Sequence, residues 1–275
     1  MPKLGCLAFG KLLIESKDLD PVYVLTLENK DLYEDKRRLK RWLLAYWSFY
    51  HMGTASWIAE KEVTFWPRFE AAANSKDYPR CPERRHFRGK AASKSYDYLK
   101  SIGIDDLFSP LERDQSCSSV MKEVGKWYGF GPWISFKVAD MIDALNLAAI
   151  EFKTEDVYLF DSPLEGARRL RQSLSANVSD SDLPAWAVSY ILSKLGHLKA
   201  PPSMARNIDT QEAETVLCKW KSYTNNSYHI GEDIHSCLKS LQHPRTKCQL
   251  TESLTQTWSQ QLEACYTKIP QLKTT

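Results

Sequence analysis

The stretch Trp127 to Leu145, WYGFGPWISFKVADMIDAL, constrains the chain most. Gly129 and Gly131 sit two apart and Pro132 follows at once. Then comes an apolar-rich run of helical length with no strand alternation. The preceding segment VMKEVGKWYGF also reads as helix. A tight, glycine-dependent turn between two helices is therefore expected.

The same helical period recurs along the chain. Leu39, Leu43, Tyr46, Trp47 and Tyr50 fall at three- and four-residue spacings in the segment that begins after Asp31. Gly53 is expected to end or kink that helix, and Thr54 to cap the next. Further helices are expected around 64–76, 90–101, 116–128, 134–148, 163–174 and 183–198, with two more across 210–265. Residues 1–30 read as irregular, with a β-like run VYVLTL at 22–27. KAPPSMARNID reads as a linker. The fold class is all-α. The division expected is a helical core at 1–200, with the hairpin at 127–138, and a helical extension at 201–275.

Composition excludes little. The chain has 275 residues, of which 43% are hydrophobic and 26% charged, with a net charge of +3. That permits a polyanionic partner without demanding one, so local patches must carry any such argument. Seven cysteines without a CxxC pair read as reduced thiols of an intracellular protein. His235, Cys237, His243 and Cys248 match no standard zinc spacing, so no metal and no cofactor is expected. LGCLAFGKLLI is interrupted by Lys11 and is too short to span a membrane.

Two devices place glycines before a helix to receive phosphate. The dinucleotide loop fails, because Ile134 occupies its third glycine position and no strand precedes it. The second is a helical hairpin whose amides and helix N-terminus meet a DNA phosphate. Gly129-Phe130-Gly131 and Val138 fit its pattern, while Ile134 and Ser135 stand where Thr-Ala is common. A ligand-free, glycine-closed turn fits the same residues.

Four blocks then occur in order: RWLLAYWSFYHMGTASWIAE, RRHFRGKAA, GFGPWISFKVADMID and YLFDSPLEGARRL. Together they resemble the α-glutamyl/putrescinyl thymine pyrophosphorylase family, the amino acid:DNA transferases of phages, over roughly residues 20–200. That family is related to helix-hairpin-helix DNA glycosylases. The resemblance implies a glycosylase-like helical fold and a transferase working in the cytoplasm of a phage-infected bacterial host. The substrate implied is duplex DNA carrying 5-hydroxymethyluracil as its pyrophosphoryl ester. An amine, from an amino acid such as glycine or from a polyamine, would displace pyrophosphate, and no membrane is involved.

Such chemistry needs a base turned out of the stack, a cradle for pyrophosphate and an acceptor for the amine proton. Arg84, Arg85, His86 and Arg88 are candidates for pyrophosphate or DNA, since guanidinium forks match phosphate oxygens. Gly129, Gly131 and Trp133 join them at the hairpin. A solvated basic loop is the plain alternative. Lys137, Asp140 and Asp143 lie near one face of their helix. Asp140 is the candidate base or amine anchor, and a helical ion pair is the alternative. Trp133 stands where bifunctional glycosylases carry their Schiff-base lysine, which argues against lyase chemistry. Counting on from there to the essential glycosylase carboxylate lands on Glu151. Asp161 either reaches the cleft or caps the following helix, and Asp156 reads as a loop residue. Tyr46, Tyr50 and Tyr128 are candidates for stacking on a flipped base. A monofunctional glycosylase using Glu151 and a non-catalytic DNA-binding module are the competing functions.

Overall fold

The computed structural model describes residues 3–84, 87, 89–153 and 160–268. The fold is all-α: the described residues form fifteen α-helices, with strands reduced to Gln115–Ser116 and Ile150–Glu151. No helix among them is long and apolar enough to cross a membrane. Contacts gather the chain into two units, one of residues 1–24, 151–234 and 264–275, the other of residues 25–150 and 235–263. Segments after residue 200 contribute to both units.

The first unit is built on helices Cys6–Glu15, Asp161–Ser173, Leu183–Leu195 and Thr210–Thr224. Phe9, Leu13, Leu170, Ile191 and Val216 fill its core, each large side chain contributing roughly 1.5–3 kcal/mol of burial. Helices Asp161–Ser173 and Thr210–Thr224 approach so closely that a Cβ on Gly166 would meet the Leu217 backbone. Asp18 is fully buried and accepts from the amides of Gly231 and Ile234 and from the Tyr228 hydroxyl. It thereby meets the orphan amides at the start of helix Glu232–Leu241.

The amino-terminal region is helical rather than irregular. The run at 22–27 lies inside helix Pro21–Glu28, where tertiary burial of Tyr23, Val24 and Leu25 overrides β-propensity.

The second unit centres on two helices that are buried nearly all round, Lys36–Phe49 and Pro132–Ala144. Asp35 caps the first through the Arg38 amide. That helix ends not at Gly53 but at Tyr50, which adopts the left-handed conformation (φ 49°, ψ 46°). His51, not Thr54, then caps helix Met52–Ala59, its Nδ1 accepting from the Thr54 amide at 3.2 Å. Gly53 sits within that helix for a packing reason, since a Cβ there would collide with the Ser240 carbonyl and Thr246 Oγ1. Among the described residues three helices, not two, follow residue 209: Thr210–Thr224, Glu232–Leu241 and Gln249–Lys268. Leu250, Leu254 and Trp258 from the last of these are buried.

Candidate active site

The glycine pair does form a hairpin between helices Cys117–Val124 and Pro132–Ala144. Its two glycines serve different needs. Gly129 has φ +85°, a conformation that L side chains rarely adopt. Gly131 has an ordinary extended backbone (φ −85°, ψ −179°) and faces open space where a Cβ would stand. It caps the helix without any side-chain bond, and Pro132 follows in the first turn. The amides at the start of the helix are thus approached by no capping group, the arrangement that suits an anion.

Helix Pro132–Ala144 carries Trp133, Lys137 and Asp140 on one stripe, at i, i+4 and i+7. At its head the Trp133 ring meets Tyr50, centroids 5.0 Å apart and planes at 58°. Further along, Lys137 Nζ lies 3.2 Å from Asp140 Oδ2. The two side chains are only 12% and 4% exposed, so this helical ion pair is largely desolvated. Cys117 stands near, and burial together with the Asp140 charge pushes its thiol up to about 12. It is a neutral neighbour, which sequence spacing gave no means of finding. Asp143 has different work: its Oδ1 accepts from the Ile150 amide at 3.2 Å.

The remaining candidates scatter. Tyr46 is 3% exposed, packed between Trp42 (5.1 Å, 4° between planes) and Tyr50 (4.7 Å). Those aromatic neighbours stand at i−4 and i+4 of Tyr46. Tyr50 and Trp133 are half-buried. Tyr128 is 44% exposed beside the hairpin, with Lys94 Nζ 5.9 Å from its ring centroid. Arg84 is buried rather than solvated, and donates to the Ser48 and Gly129 carbonyls at 2.9 Å each. Arg85, His86, Arg88 and Asp156 lie outside the described residues. Glu151 and Asp161 belong to the other unit, and both are exposed. Asp161 is the first residue of its helix, and the capping position falls to Phe160 without a side-chain bond.

Comparison with known proteins defines the class to which this helical fold belongs. The profile of the amino acid:DNA transferase family matches residues 61–228. A glycinyltransferase of Pseudomonas phage PaMx11 is 34% identical, across 84% of this chain and 88% of the relative. A putrescinyltransferase of Delftia phage PhiW-14 is 29% identical, across 86% of this chain and 77% of the relative. The chain belongs to the amino acid:DNA transferase family. It is accordingly an enzyme of DNA modification that joins an amino-acid or related amine group to DNA.

Proposed function

We propose that this enzyme replaces the pyrophosphate of 5-pyrophosphoryloxymethyluracil in DNA with an amine, glycine before glutamate or putrescine. The observation that carries the reading is the desolvated Lys137–Asp140 pair, set on the helix that the hairpin opens. Likeness to the phage glycinyltransferase supports glycine as the amine.

In the reaction the amine nitrogen donates its lone pair to the methylene carbon. The C–O bond breaks and its electron pair leaves on pyrophosphate. The proton lost from nitrogen passes to Asp140. Lys137 holds that carboxylate in place through the contact at 3.2 Å. Asp140 is preferred over Glu151 and Asp161 because it is buried and they are exposed, and a dry site strengthens such charge interactions. The hairpin amides and Gly131 engage a DNA phosphate, and Tyr50 with Trp133 offers aromatic faces to the displaced base. Tyr128 and Lys94 flank the hairpin as further DNA contacts. The work is done in the cytoplasm of an infected bacterium.

The test is direct. The protein is incubated with DNA containing 5-pyrophosphoryloxymethyluracil and a pool of amino acids and polyamines, and the nucleosides are weighed after digestion. A nucleoside in which one amine has replaced pyrophosphate supports the reading and names the amine. Abasic sites with free base would replace it by a glycosylase, and unchanged nucleosides on DNA that is still bound would reduce the chain to a binding module.

A further inference from the structure

Arg84 departs most from what a basic loop residue should be. It is 7% exposed. Its Nε donates to the carbonyl of Ser48 at 2.9 Å, in the last turn of helix Lys36–Phe49. Its Nη1 donates to the carbonyl of Gly129 at 2.9 Å, inside the hairpin. The guanidinium carbon lies 4.9 Å from the Phe87 ring centroid and 5.0 Å from that of Phe130. Burial lowers the guanidinium to about 10, so it stays charged at neutral pH. Its Nη2 is buried without a partner among the described residues.

These contacts join two parts of the candidate site. Ser48 lies two residues before Tyr50, the ring that meets Trp133. Gly129 lies two residues before Gly131, where the helix amides begin. Helix-terminal carbonyls lack intrahelical donors and favour a cation. The planar fork of arginine reaches two carbonyls at once, and an ammonium cannot reproduce that geometry. The two phenylalanine rings hold the fork in its plane. The side chain is thus committed to two carbonyls and two rings.

We propose that Arg84 is a positioning residue that ties the DNA-facing hairpin to the Tyr50 end of helix Lys36–Phe49 and does not itself contact phosphate. The proposal rests on the hairpin gripping DNA as described above. A phosphate ligand and a positioning strut differ in one thermodynamic respect. Loss of a phosphate contact lowers the salt slope of binding by about 0.9, whereas a displaced hairpin weakens binding at every salt concentration alike.

The experiment compares the wild-type protein with Arg84→Lys and Arg84→Met. Affinity for a duplex carrying 5-hydroxymethyluracil is measured across a salt series, and amide hydrogen exchange is followed by mass spectrometry. We expect both variants to bind about ten-fold more weakly with an unchanged salt slope. Exchange should quicken at residues 129–135 and stay unchanged in helix Thr210–Thr224. A slope reduced by about 0.9 would make Arg84 a phosphate ligand and overturn the proposal. So would unchanged affinity and exchange, or exchange that quickens throughout the chain, which is the mark of a merely structural role. Should Arg84→Met fail to fold, Arg84→Gln replaces it in the salt series, since Arg84→Lys keeps the charge and leaves the slope unmoved in either case. If the wild-type protein binds no DNA, the proposed function fails, and the exchange measurement still decides whether Arg84 orders the hairpin.

Discussion

Asp140 and Lys137 answer to different measurements. Asp140→Asn keeps the shape and an acceptor toward Lys137 but removes the proton acceptor. We expect turnover to fall by about 10²–10⁴, with DNA affinity nearly unchanged in a binding titration. Lys137→Met removes the cationic partner of a carboxylate that is 4% exposed. Breaking a largely buried pair in this way should cost on the order of 3 kcal/mol in urea denaturation. His51 supplies a pH dependence of its own. Burial, and then the neighbouring His243 ring, lowers it to about 4 from 6.5. The unfolded chain takes up the proton near pH 6.5 and the folded chain only near 4. The stability associated with a neutral His51 is therefore complete above 6.5 and lost as pH falls toward 4, roughly 3 kcal/mol in all. His51→Gln should flatten that part of the stability profile.

At the level of elements, the two hairpin glycines make a matched pair. Gly129→Ala forces a side chain into a left-handed conformation (φ +85°), and should cost about 1–2 kcal/mol of stability. Gly131→Ala meets neither strain nor crowding. It should leave the melting temperature alone and weaken DNA binding, if a phosphate approaches as closely as proposed; unchanged affinity would remove the hairpin from the interface. The turn, the long helices and the shared helix face of Lys137 and Asp140 were legible in the sequence, because helical period and glycine spacing are local properties. What sequence could not carry was enclosure. Arg84 and Tyr46 read as available because an arginine in a Pro-punctuated loop and a tyrosine on a helix are usually at least partly exposed. Phe87, Phe130, Trp42 and Tyr50 close over them through contacts that no local pattern records. The amino-terminal helices escaped for a related reason, since their stability comes from tertiary burial rather than propensity.

For the whole molecule, neither unit is one continuous stretch of chain. A chain ending at residue 200 would lose helix Thr210–Thr224 from one unit and Leu254 and Trp258 from the core of the other. We expect it to be insoluble or to lack a cooperative thermal transition, as circular dichroism would register. The interleaving also bears on how the protein is made. During synthesis, residues 25–150 emerge with an unfinished core and must wait until residues 235–263 have left the ribosome. The first 24 residues wait likewise for the segment that begins at 151. With elongation at about 5–20 residues per second, each nascent chain carries exposed apolar surface for several seconds. Translation speed and chaperone supply in the producing cell therefore belong among the conditions that set how much active enzyme accumulates.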